Sequence, residues 1–129
     1  MKDLSTDIAN YLASTGFGTL GTDIFIGQIP ADTNGYWVEL GGGQLNNYVP
    51  IEETVVDIYC KDIKNELALS NLRKLVNFIH RQHDVTINDT YMFTLLVIGN
   101  ITPVMIDVEY AKIYKITVQI LSRNTNLLS

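Results

Sequence analysis

Thr54-Val55-Val56-Asp57-Ile58-Tyr59-Cys60-Lys61 alternates two kinds of side chain, and the chain that follows changes its period. In an extended segment Val56, Ile58 and Cys60 share one face, while Val55, Asp57, Tyr59 and Lys61 share the other. Asp62 then offers a cap, and Ala68, Leu72, Leu75, Val76 and Ile79 recur at helical spacing, which predicts a helix near residues 63 to 83. A strand with one apolar face next to a helix with one apolar stripe points to an α+β domain in which the two bury each other.

The same reading extends in both directions. Downstream, Asp84 to Asp89 is a polar connection with room for a short strand at Val85 to Ile87. Tyr91 to Ile98 is a strand apolar on both faces, Asn100 to Pro103 is a turn, and Val104 to Tyr110 reads equally as strand or extended loop. Lys112 to Leu121 alternates again, with Tyr114, Ile116, Val118 and Ile120 opposite Lys115, Thr117 and Gln119. Residues 122–129 are expected to fray. Upstream, Asp3 can cap a helix carrying Leu4, Ile8, Tyr11 and Leu12 on one face, with Gly16 just past its end. Asp23 to Ile29 reads as a strand stopped by Pro30. Tyr36 to Leu40 reads as its return in a hairpin, and Gly41 to Pro50 as a loop. The expected fold is α+β, a mainly antiparallel sheet of about five strands with two helices packed on one face. The other face, with Asp57, Tyr59, Lys115 and Thr117, suits solvent or a partner.

Composition bounds what such a domain can do. The chain has 129 residues, 47% of them hydrophobic, which suits a single domain over residues 1–129. No apolar run reaches the roughly 20 residues of a membrane helix, and the polar start Met1 to Asp7 does not read as a signal peptide, so the protein is expected to be made and kept in a cytoplasm. The single cysteine, Cys60, can form no internal disulfide and reads as a small buried hydrophobe. Lys and Arg number 9 against 14 Asp and Glu, a net charge of −5 with no basic run, so gripping a nucleic-acid backbone is not expected.

Each catalytic or cofactor pattern in the sequence has a simpler reading. Gly16-Phe17-Gly18-Thr19-Leu20-Gly21 matches a dinucleotide fingerprint, but a helix leads in and a strand leads out, so no helix N-terminus faces a pyrophosphate. Gly41-Gly42-Gly43 lacks the Lys-Ser/Thr of a phosphate loop. His80 and His83, three apart on the expected helix with Asp84 beside them, could begin a metal site for a small metal-binding enzyme. Without a third strong ligand they read as complements to the helix dipole. Asp107 and Glu109 read as solvated surface. No catalytic residue, metal or cofactor is expected.

Gly16-Phe17-Gly18, Ile24 to Pro30, Gly41-Gly42-Gly43, Tyr59-Cys60-Lys61, Ile101-Thr102-Pro103 and the strand from Lys112 to Leu121 together resemble the tail terminator proteins of long-tailed bacteriophages, a family that includes proteins called minor capsid proteins. The layout of helix, glycine turn, strand ending in proline, glycine loop, strand, main helix and closing strands covers nearly the whole chain. Two places depart from the pattern. Lysine stands in Cys60-Lys61, and again at Lys112 after Asp107 to Ala111, where the family often has arginine; lysine lacks the bidentate fork.

The resemblance implies a virion protein forming a homo-oligomeric ring, usually a hexamer, at the junction of tail and neck. The ring caps the tail tube, ends its polymerisation and meets the head connector, while DNA passes through the lumen unbound. A head-completion or neck protein of the same particle is the alternative. Two contact sites are expected. Gln44, Leu45, Asn46, Asn47 and Tyr48 would touch the tail tube, and Leu67 with Phe78, both off the core stripe of the long helix, would form a subunit interface.

Overall fold

Two long strands carry the architecture, and both are the alternating segments of the sequence. The computed structural model describes residues 4–27, 34–45, 52–62, 65–87, 90–106 and 112–124. Within them the elements run α1 (Leu4–Ser14), β1 (Ile24–Ile26), β2 (Gly35–Leu45), β3 (Glu52–Asp62), α2 (Asn65–Ile79), β4 (Gln82–Ile87), β5 (Thr90–Ile106) and β6 (Lys112–Asn124). The six strands form one curled, mixed sheet in the order β1-β2-β3-β6-β5-β4. β3 and β6 lie antiparallel at its centre, in register from Glu52↔Ser122 to Asp62↔Lys112.

Alternation decides what is buried. Val56, Ile58 and Cys60 on β3 and Ile116, Val118 and Ile120 on β6 join Tyr36, Val38, Met92 and Leu95 in a single core. Leu4, Ile8 and Leu12 of α1 and Ala68, Leu72, Leu75 and Ile79 of α2 belong to the same core. The intervening residues Val55, Asp57, Tyr59, Lys115, Thr117 and Gln119 are partly exposed. α1 ends as its sequence indicates. Gly16 takes φ +93, and the Phe17 and Gly16 N–H groups donate to the Leu12 and Ala13 carbonyls, the paired bonds of a Schellman cap.

Several expectations are corrected. The sheet has six strands, and β1 pairs with β2 in parallel, Ile24↔Tyr36 to Ile26↔Val38, so these strands are not a hairpin. The hairpin partner of β2 is β3, and β2 continues through Gly41–Leu45 because its backbone pairs with β3 from Gly42↔Val55 to Leu45↔Glu52, past a bulge at Leu40/Gly42. α2 stops at Ile79, and Arg81 and Asp84 take positive φ of 66° and 54° where the chain turns into and along β4. The turn expected at Asn100 to Pro103 is an irregularity inside β5, whose register on β6 shifts between Ile98 and Thr102. β6 holds Ser122–Asn124 in the sheet, so fraying does not begin at Ser122. The expected cap at Asp3 and the acids Asp107 and Glu109 lie outside the described residues.

Candidate functional site

The glycine fingerprint is a structural turn organised by Asp23. Thr19 N–H donates to Asp23 Oδ2 at 3.1 Å, and Asp23 N–H returns to the Thr19 carbonyl at 2.8 Å. A Cβ on Gly18 would stand 2.6 Å from Asp23 Cβ. The segment runs from α1 into β1, with Leu20 bridging to Ile24, so its N–H groups sit at no helix start.

The two histidines are not on one helix. His80 follows α2 and its Nδ1 accepts from the Val97 N–H at 3.1 Å, while His83 belongs to β4. His83 Nδ1 lies 3.0 Å from Asp84 Oδ2. Tyr91 donates its hydroxyl to the other oxygen of Asp84. That bond, and then His83, holds the Asp84 carboxyl below its ordinary range. Among the described residues no group of three or more His, Cys, Asp or Glu side chains is gathered as a metal would require.

Cys60 lies in the floor of a cleft of about 240 Å³ shared with Phe17, Asp23, Tyr36 and Asn71. Burial, and secondarily Asp62, pushes its thiol up to about 12. A group so placed stays protonated and is a poor nucleophile. Tyr36 donates its hydroxyl to the Asn71 carbonyl at 3.2 Å, which ties β2 to α2.

The expected interface pair is separated by the structure. Leu67 is exposed at 45%, whereas Phe78 packs its ring against Tyr11 and Phe17 at centroid distances of 5.8 and 5.3 Å. Both do sit on one side of α2, but a helix rises about 1.5 Å per residue, so they stand roughly 16 Å apart along its axis. Of the expected tube-contact residues, Gln44 and Leu45 are paired with Glu53 and Glu52 at the far end of the β2–β3 hairpin. Asn46, Asn47 and Tyr48 lie outside the described residues.

The sheet face away from the core is knitted together by side chains. Trp37 and Tyr59 stack with centroids 4.6 Å apart and planes within 2° of parallel. Trp37 donates its indole N–H to Glu39 at 3.2 Å, Thr117 donates to Asp57 at 2.8 Å, and Gln119 donates to Glu53 at 2.6 Å. Each bond crosses strands or runs along one, so this face is stiff and presents a fixed pattern of polar and aromatic groups.

The geometry thus defines a small α+β protein with one sheet face in the core and a braced, mixed face opposite. The family model described as bacteriophage tail terminator protein matches residues 11–120, and the chain belongs to that family. A chain in a solved structure titled "Virion of native gene transfer agent (GTA) particle" shares its fold, with a TM-score of 0.53 and 11% identity over 87% of this chain and 84% of that one. No curated protein matches the sequence. The role of the chain is structural, within a phage virion.

Proposed function

We propose that the protein closes into a homo-oligomeric ring, usual size a hexamer, that caps the tail tube, ends its growth and offers its opposite side to the head connector. The observation that carries this is the family match across residues 11–120. The architecture supports it. Side chains of both helices join strand residues in one core, and the braced face with the partly exposed Tyr59, Lys115 and Thr117 remains for contact. The hairpin end at Gln44 and Leu45, with Asn46, Asn47 and Tyr48 following, is the proposed contact with tail tube protein. Leu67 is a solvent-facing apolar point for subunit contact on α2, while Phe78, at the other end of the helix, packs on Tyr11 of α1. A net charge of −5 disfavours adhesion of DNA to the lumen.

Light scattering over a dilution series, alone and with tube protein, tests the ring. An oligomer that dissociates on dilution, seen as closed rings by electron microscopy, is expected. A strict monomer at every concentration, tube protein present, overturns the reading.

A further inference from the structure

The two edges of the sheet are stepped. β1 covers β2 only from Tyr36 to Val38, and β4 covers β5 only from Thr90 to Leu95. Among the described residues, β2 from Glu39 to Leu45 and β5 from Leu96 to Ile106 therefore have no outer strand. Tyr36 and Ile106 lie toward one end of the sheet, Leu45 and Thr90 toward the other, as the registers through β3 and β6 show. The projecting β1 and the recessed length of β5 thus stand at the same end, on opposite edges. A second copy in the same orientation would seat its β1 against this recess, and its own open β2 would meet β4.

The steps alone would also suit a two-fold pairing of like edges. Side chains decide between them. Five large hydrophobics are strongly exposed among the described residues; Leu20 at 41% and Ile26 at 40% lie on the β1 edge, and Ile98 and Val104, each 43%, lie on the open length of β5. Only the head-to-tail arrangement brings the apolar β1 edge to this open edge of β5, with Ile26, which pairs with Val38 of the core, on the core side of the sheet and Ile98, which pairs with Thr117, on the braced side. The recess also contains a groove of about 380 Å³ between α2 and β5, lined in part by Val76, Val97, Ile101 and Arg73. Arg73 in its lining and the exposed Asp23 just before β1 are opposite in charge.

We infer that the β1 edge, through Leu20 and Ile26, docks into the α2–β5 recess of the next copy, a heterologous contact between two different surfaces that repeats around the ring. Such a contact can close on itself only if each copy is rotated from the last, which the curl of the sheet favours. The inference rests on the ring reading and names the surfaces that build it.

Ile26→Glu disables one edge and Ile98→Glu the other, and both positions are exposed, so melting temperatures should stay near that of the unsubstituted protein. Each variant alone should be monomeric at concentrations where the unsubstituted protein associates, with affinity at least about a hundredfold weaker. Mixed in equal amounts, they should form a dimer and nothing larger, because one intact edge of each type remains. If either glutamate variant loses its fold, Leu20→Ser and Val104→Ser test the same two edges. If the variants associate like the unsubstituted protein, or the mixture gives no dimer, the edge assignment fails while the ring stands. If the unsubstituted protein never associates, both fail.

Discussion

Cys60 and Tyr36 oppose each other across β3 and β2, and their burial sets how the fold responds to alkali. Burial first, then the charge of Asp62, lifts the Cys60 thiol from 9.0 to about 12. Burial first, then Cys60, lifts the Tyr36 hydroxyl still further. Both groups are neutral when protonated, so the folded state keeps protons that the unfolded chain would release. Their contribution to stability is whole below 9.0 and is lost as pH rises through the folded values. The urea midpoint should therefore hold steady to about pH 8.5 and then fall, and Cys60→Ala should flatten the first part of that fall. A thiol reagent at about pH 8 should label Cys60 only when urea unfolds the protein; rapid labelling of the folded chain would contradict this placement. The burial of Cys60 was legible from alternation alone. Gly16 was legible too, because a cap is a local device. The need for glycine at 18 was not, since it comes from the approach of Asp23. The histidine pair was misplaced because nothing in the helical period announces that α2 stops at Ile79.

At the scale of elements, the strands were readable and their directions were not. Alternation marks a segment as extended without saying which way its neighbour runs, and the turn-forming residues after Ile29 suggested a simple reversal. The chain instead brings β2 alongside β1 in parallel, which requires a crossover rather than a tight turn. Gly41-Gly42-Gly43 looked like a loop for a related reason. Ladder bonds to β3 need only backbone, so a partner fixed elsewhere in the chain overrides the weak intrinsic preference of glycine for strands. The parallel joint has a sharp test at Gly35. Its φ is +149, and a Cβ there would stand 2.3 Å from the Asp23 carbonyl oxygen. That carbonyl accepts the Tyr36 N–H at 2.8 Å, so it cannot retreat without breaking the joint. Gly35→Ala should cost about 2–4 kcal/mol in urea unfolding, combining backbone strain with overpacking. Gly21→Ala, at φ +87 with open space around its Cβ, should cost only about 1 kcal/mol. Equal effects at the two sites would refute the packing of β1 on β2.

At the scale of the whole molecule, function follows from which surfaces the fold leaves for other chains. The braced face was legible from the polar half of the alternation. The stepped edges were not, because strand order is a property of the assembled sheet. The hairpin of β2 and β3 is the third surface, and it supports the last prediction. Pairing persists to Leu45↔Glu52, so Gln44 and Leu45 are part of the ladder and must be spared in any test of the tip. The connecting sequence from Asn46 to Ile51 is longer than a two-residue hairpin turn requires, and it offers Tyr48 and Val49 among polar residues. A tyrosine can bury its ring and still hydrogen-bond, which suits an anchor on a partner surface. Replacing Asn46, Asn47 and Tyr48 with Gly-Ser-Gly keeps the chain length and the paired arms. Stability should change by no more than about 0.5 kcal/mol, and self-association should persist, since neither sheet edge is altered. In assembling particles the variant should fail at the tube, giving tails of uncontrolled length or tails not joined to heads. If it folds, associates and still yields tails of normal length joined to heads, the tip is only a connection, and tube contact must be sought on the braced face.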